Sequence, residues 1–191
     1  KITLVGDPRQ ATYSTVNTEK NAKYKKAAIV NFFDDKAAGV SVDDKMLNEN
    51  FRCFHEINDF ANKLYPTFAP SISNVREISG HDGVFLLPSK LLSHYLETYT
   101  PVQLRWDKRR TVDERYPVFT FGTSKGLTFE RVIIFPTEPM LKWFQDNNSV
   151  LTNDSRAKLY VGLTRPVKSV AIVFNSDTAF NSNGIKIYTS G

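Results

Sequence analysis

The sequence is poor in the residues that most often build metal sites and cross-links. Cys53 is the one cysteine among 191 residues, which excludes an internal disulfide and any cysteine-rich metal site and matches cytosolic usage. The three histidines, His55, His81 and His94, are scattered with no metal-ligand spacing and read as ordinary surface residues. No apolar run approaches a membrane span and no signal peptide is visible. No repeat or low-complexity tract appears. A phosphate-cradling loop needs Gly-x-x-x-x-Gly-Lys-Ser/Thr, and no glycine here is followed by lysine. The one Asp-Glu pair, Asp113 and Glu114, follows Arg109, Arg110 and Thr111 in a charged stretch, whereas a Mg²⁺-binding acid pair should close a buried strand.

What is present is a core-forming, basic chain. With 41% hydrophobic and 24% charged residues, it suffices for one α/β domain, or one domain plus a piece of a neighbour. The net charge of +5 and pI near 9.2 suit nucleic acid or phosphate partners and also fit many unspecialised domains. The chain opens on Lys1 with apolar residues at once, whereas termini are usually polar and frayed; the expectation is a piece of a longer protein.

Ile2, Leu4 and Val5 read as a short buried strand ended by the turn signal of Gly6, Asp7 and Pro8. Residues 19–38 read as helical and residues 46–51 as a short strand. Ile57, Phe60, Ala61 and Leu64 have helical spacing over 55–65, and residues 66–74 are a Pro- and Ser-rich loop. Strands are expected over 83–87, 102–106, 118–121, 132–135 and 169–174. Helices are expected over 89–99, 140–145 and 154–164, the last capped by Asp154 or Ser155. Residues 108–115 form a charged loop. Strands alternating with helices imply βαβ units and a mainly parallel sheet.

Four stretches plant polar groups at the ends of buried elements. The first, "KITLVGDPRQATYS", reads either as a plain turn or as the strand end where open α/β sheets bind ligands, with the Gln10 amide facing a crevice. The second, "LNENFRC", sets Arg52 between a strand and a helix. The third, "FTFGTSKGLTFERVIIF", separates two apolar strands by a loop with Thr123, Ser124 and Lys125, whose hydroxyls, N–H groups and cation suit a sugar-phosphate backbone. The fourth, "SRAKLYVGLTRP", ends a helix on Thr164 and Arg165 before Pro166. Arginine grips a phosphate with fixed geometry because its fork never loses its charge. Two arginines and a glutamine at element ends could converge on a transferring γ-phosphate and stabilise developing charge. The plain alternatives are helix-end arginines in surface ion pairs and a solvated connection at the loop.

Taken in order, these stretches resemble the motor core of UvrD/Rep-like superfamily 1 helicases. "LVGDPRQATY" resembles helicase motif III, "LNENFR" motif IV, "GTSKGLTFERVIIFP" motif V and "LYVGLTR" motif VI. The resemblance implies an α/β, RecA-like P-loop NTPase lobe, its mainly parallel sheet flanked by helices. Residues 1–45 would be a remnant of the first RecA-like lobe and residues 46–191 the second lobe. In such motors two lobes bind ATP in the cleft between them and single-stranded DNA crosses the top. By resemblance, Gln10 senses the γ-phosphate, Arg52 and Arg165 reach it from the second lobe, and Phe51 stacks on adenine. Gly6, Asp7, Lys125 and Gly126 fall in the ATP-binding blocks. Tyr13 would pack against DNA bases, where stacking is worth about 1–3 kcal/mol per base, and Thr123, Ser124 and Lys125 would line the DNA track.

The sequence departs from the pattern in places. Ser14 and Thr15 follow Tyr13 where many members carry a second large aromatic. Gly122 stands in place of a frequent histidine, Thr128 in place of an acid that can hold the ribose, and Pro166 in place of the usual alanine. The large accessory insertion of UvrD and Rep has no room between "LNENFR" and "GTSKG". The phosphate loop and the Mg²⁺ ligands precede motif III in this family, so the resemblance places them outside this chain, which by itself would not hydrolyse ATP. The expected partners are ATP with Mg²⁺, single-stranded or partially duplex DNA and the first lobe, with no membrane and a cytoplasmic location. Two other classes stay open: a non-catalytic nucleic-acid or partner-binding module derived from such a lobe, and an unrelated basic α/β domain.

Overall fold

The structure, a computed structural model, describes residues 3, 5–12, 23, 24, 26–36, 41–43, 46–76, 78–177 and 179–190. Six strands form one sheet: β1 (Gly83–Pro88), β2 (Val102–Arg105), β3 (Val118–Thr120), β4 (Phe129–Ile134), β5 (Pro166–Phe174) and β6 (Lys186–Ile187). Their spatial order is β3-β2-β4-β5-β1-β6 and every pairing is parallel. The helices are α1 (Ile29–Lys36), α2 (His55–Asn62), α3 (Leu92–Tyr99), α4 (Glu138–Gln145) and α5 (Asn153–Leu163).

The central strands read as unbroken apolar runs because both faces are covered. All of β1 is buried, and Val170, Ile172 and Phe174 of β5 face one core while Ala171 and Val173 face the other. On the first face lie Ile57, Phe60 and Ala61 of α2, Met140, Trp143 and Phe144 of α4, and Leu159, Tyr160 and Leu163 of α5. On the second, Tyr95 and Leu96 of α3 pack with Leu87, Ile133 and Tyr188. Parallel strands need crossovers: α3 connects β1 to β2 on one face, and α4 with α5 connects β4 to β5 on the other. The α3 helix stops at Thr100, whose φ of 43° is the left-handed cap that Pro101 then makes final. The expected fold class holds, with a sheet fully rather than mainly parallel, and it fits a RecA-like lobe.

Several local expectations are corrected. Val5 is 76% exposed and residues 5–7 form no strand; Ile2 and Leu4 lie outside the described residues. Residues 46–51 form a turn with a single bridge from Glu49 to Ile72. There the Asn50 side chain captures the backbone N–H groups of Arg52 (2.9 Å) and Cys53 (3.1 Å), which bends the chain out of strand geometry. The cap of α5 is Thr152, whose hydroxyl accepts from the Ser155 N–H at 3.2 Å. Within 19–38, the described residues hold a 3-10 turn at Lys26–Ala28 and then α1. β6 lacked any strand pattern of its own; a two-residue edge strand is set by its pairing with Phe85 and Leu86.

Candidate active site at the end of α5

The site gathers where α5 hands over to β5. Seven residues of α5 are buried, among them the consecutive run Leu159, Tyr160, Val161, Gly162 and Leu163, so the last turn of this helix is covered on every side, as a helix end wedged between elements must be. Gly162 allows the wedge: a Cβ there would stand 2.7 Å from the Phe121 ring and 3.3 Å from Ile134 Cδ1. The last turn is closed by the Thr164 hydroxyl, which donates to the Tyr160 carbonyl at 2.8 Å. Arg165 follows at the amino end of β5.

Arg165 is only 2% exposed. Its Nε donates to the Val161 carbonyl at 3.2 Å and its Nη1 to the Leu127 carbonyl at 3.2 Å. Its Nη2 reaches Thr164 Oγ1 at 3.3 Å and Gln10 Oε1 at 3.4 Å. Arg52 comes in from the turn before α2 and donates from Nη1 to the Thr164 carbonyl at 3.0 Å. Burial, and then the neighbouring Arg52 guanidinium, pull the Arg165 pKa down. No carboxylate of the described residues lies within ion-pair distance of either arginine. Two neighbouring guanidiniums held by neutral carbonyl, amide and hydroxyl oxygens are suited to receive an anion, because a buried charge without a counter-ion is costly. A phosphate fits that need through charge-assisted bonds.

Gln10 ends the 3-10 turn Pro8–Gln10. Asp7 organises that turn: one carboxylate oxygen accepts from the Arg9 N–H (3.0 Å) and Arg9 Nε (2.9 Å), and the other accepts from Gln10 Nε2 at 3.0 Å. The Gln10 amide is thereby oriented with its oxygen toward Arg165. Gly6 is exposed with open space around its Cα. Phe51 is 84% exposed and borders a shallow groove of about 220 Å³ with Glu49, Ile72 and Asn74. The Arg52 turn is fixed from below, where Asn50 Nδ2 donates to Asn58 Oδ1 at 3.0 Å and Asn58 Nδ2 donates to the Ser71 carbonyl at 2.7 Å.

The loop after β3 divides its residues. Thr123, Lys125 and Gly126 are exposed, and Gly126 takes the φ of +88° that this turn requires. The Thr123 hydroxyl accepts from the Thr120 N–H at 3.0 Å. Ser124 is fully buried and donates to the Phe121 carbonyl at 2.9 Å, so its hydroxyl serves the turn and faces no open track. Tyr13 lies outside the described residues.

The structure thus brings together Gln10, Arg52 and Arg165, with Asp7 behind Gln10, and sets Phe51, Thr123, Lys125 and Gly126 apart on the surface. Sequence reading missed Arg9, Asn50, Asn58, Tyr65 and Tyr160; Arg9, Asn50 and Tyr160 lie inside the quoted stretches and Asn58 and Tyr65 outside them, and only packing reveals their contacts. It also misjudged His81. That ring is stacked between Phe85 (centroids 4.0 Å apart) and Tyr99 (4.3 Å), and its Nε2 meets the Tyr95 hydroxyl at 2.9 Å. Burial, with Arg131 nearby, depresses its pKa to about 4. Cys53 is fully buried, and burial pushes its thiol pKa up. Trp143 is core, and Trp106 packs against it with Lys158 Nζ 3.7 Å from its ring centre. Among the described residues no group of His, Cys, Asp and Glu is placed to hold a metal ion, and no helix is long and apolar enough to cross a membrane.

The fold is a parallel α/β lobe in which a buried arginine, Arg165, and a partly buried one, Arg52, meet at the end of α5. No protein-family model and no curated protein matches the sequence. Solved structures similar in fold include the helicase PRRSV nsp10, at 19% identity over 65% of this chain and 23% of its own, with a TM-score of 0.41. Another is arterivirus nonstructural protein 10 (helicase) in complex with DNA, at 18% identity over 67% of this chain and 25% of its own, with a TM-score of 0.40. A third is the C-terminal domain of a possible DNA helicase from Lactobacillus plantarum WCFS1, at 15% identity over 72% of this chain and 98% of that domain, with a TM-score of 0.41. The chain spans 23% and 25% of the length of the two viral helicases. The likeness is one of fold alone.

Proposed function

We propose that this chain is the second motor lobe of an ATP-dependent DNA helicase or translocase of the UvrD/Rep-like kind, residues 1–45 being part of the first lobe. The observation that carries the reading is the convergence of Gln10, Arg52 and Arg165 at the end of α5. In it, Arg52 and Arg165 stabilise the charge that develops on the transferred γ-phosphoryl, a role in which a single arginine is worth about 10³–10⁵ in rate. Gln10, tied to Arg165, reports phosphate occupancy to the segment that follows it. Phe51 offers a ring face to the adenine beside the groove at Ile72, and Gly6, Asp7, Lys125 and Gly126 complete the nucleotide surroundings. Thr123 and Lys125, with Tyr13, meet single-stranded DNA. The Mg²⁺ that accompanies ATP finds no ligand set among the described residues; this chain's own contribution is the cationic one.

The test is ATP turnover by the full-length protein and by this chain, each with and without single-stranded DNA. DNA-stimulated turnover by the former and none by the latter is expected. In the full-length protein, Arg165→Ala should lower kcat at least about a hundredfold; wild-type turnover in that variant removes the role given to Arg165. Absence of turnover in both proteins leaves a non-catalytic nucleic-acid-binding or partner-binding lobe as the reading.

A further inference from the structure

We infer that Arg9 is a positioning residue that clamps the Gln10-bearing turn onto the second lobe through a cation–aromatic contact with Tyr160 and a hydrogen bond from the Tyr65 hydroxyl to its backbone carbonyl. The inference rests on the motor reading above. Sequence analysis gives Arg9 no role. In space its guanidinium carbon lies 5.0 Å from the centre of the Tyr160 ring, while its Nε is tied to Asp7 at 2.9 Å. Tyr160 meets Tyr65 edge-on at 5.5 Å, and Arg156 covers the Tyr65 ring at 5.6 Å. The Tyr65 hydroxyl donates to the backbone carbonyl of Arg9 at 3.3 Å. Both rings are almost wholly buried, and burial holds the Tyr65 phenol protonated, its pKa pushed up to about 12.

The geometry gives the clamp its function. Residues 7–12 contain no strand pairing; their internal bonds are those of one short turn, Gln10 N–H to the Asp7 carbonyl (3.1 Å) and Thr12 N–H to the Gln10 carbonyl (2.9 Å). A single 3-10 turn is too short to hold its own conformation, so the direction of the Gln10 amide is set by what the turn is fastened to. The fastening is Arg9 on Tyr160, the Tyr65 hydroxyl on the Arg9 carbonyl, and the Asp7 carboxylate that joins Arg9 to Gln10 Nε2. Tyr160 stands in the last turn of α5 and Arg165 two residues beyond the end of that helix. The same helix end therefore presents the ring that seats Arg9 and the guanidinium that Gln10 must reach. A desolvated cation over an aromatic face is stronger than an exposed one, and Arg9 is the side chain suited to do both jobs, stacking flat while its fork binds a carboxylate.

The test uses the full-length protein with single-stranded DNA. Arg9→Gln removes the cation but keeps an amide for Asp7; it should lower kcat for ATP about tenfold and leave the affinity for a non-hydrolysable ATP analogue within about twofold. Arg9→Lys keeps a cation for the ring and should turn over at least about threefold faster than Arg9→Gln; equal rates overturn the clamp. Because Arg9 acts through Gln10, adding Arg9→Gln to Gln10→Ala should change kcat by less than about twofold, and a fully additive loss overturns the inference. A second measurement needs no turnover: amide deuterium uptake at Gln10 and Thr12 should quicken about tenfold in Arg9→Gln and in Tyr65→Phe. Unchanged uptake in both overturns it. If the wild-type protein hydrolyses no ATP, the motor reading falls, and the uptake measurement still decides whether Arg9 holds the turn.

Discussion

The guanidinium of Arg165 stands 3.4 Å from the side-chain oxygen of Gln10, across a sequence separation of 155 residues. That meeting lies beside a second arginine, Arg52, which donates to the Thr164 carbonyl at the end of α5. Arg165→Lys separates charge from shape at this point. The lysine keeps the cation but cannot hold the Val161 and Leu127 carbonyls together as the fork does. Expected outcomes are a fall in kcat approaching that of Arg165→Ala and a loss of about 1–3 kcal/mol in urea unfolding, from buried carbonyls left unpaired. Unchanged stability would show that water replaces the fork without penalty.

Gly162→Ala tests the wedge of α5. Helix propensity alone would favour alanine by about 1 kcal/mol, but the new Cβ would press on Phe121 ring carbons at 2.7 and 2.9 Å. Overpacking of this kind costs about 1–3 kcal/mol, and Phe121 is fully buried with no free side to move into. Steric cost therefore wins, and Gly162→Ala should destabilise. The double variant Gly162→Ala with Phe121→Leu should lose less than the sum of the two single changes, read from urea midpoints.

His81 predicts a pH dependence. Its pKa is lowered to about 4 by burial and then by Arg131, with Asp82 pulling weakly the other way. The unfolded chain, with an ordinary histidine near 6.5, binds the proton that the folded ring refuses. Stability from this group is thus complete above about pH 6.5 and is lost as pH falls toward 4. The residue is partly exposed, so solvent screening limits the effect to about 1 kcal/mol. His81→Phe keeps the stack on Phe85 and Tyr99 and should flatten the stability profile across that window. An identical slope in the variant would remove His81 as its source. Asp82, held below the usual carboxylate range by Ser79 and Ile78 despite burial, acts at lower pH.

Asn50 predicts a contrast between two substitutions. Its side-chain oxygen accepts from two N–H groups, and its nitrogen binds Asn58. Asn50→Ala should cost about 1–2 kcal/mol, as for a lost cap, and Asn50→Asp, which keeps the acceptor, should cost less. Equal losses in chemical denaturation would show that the bond to Asn58, not the turn, matters.

The sequence by itself determined most of the local elements and the parallel α/β class. Apolar runs such as 83–87 and 169–174 announce strands covered on both sides, and helical spacing over 55–65 needs no tertiary partner to be recognised. Arg52, Arg165 and Gln10 were legible as candidate phosphate-handling residues from side-chain type and ordered motifs, and the structure brings the three together. Only the tertiary structure decided what lies together. Whether Ser124 faces solvent or its own turn depends on packing beneath Phe121, and residues 46–51 bend because the Asn50 side chain outcompetes strand pairing. The stacking of His81 between rings from β1 and α3, and of Arg9 on Tyr160, depends on contacts between residues far apart in sequence. Local pattern reports which side of an element is buried, but a contact between distant side chains is fixed by how the elements pack, and no periodicity encodes it.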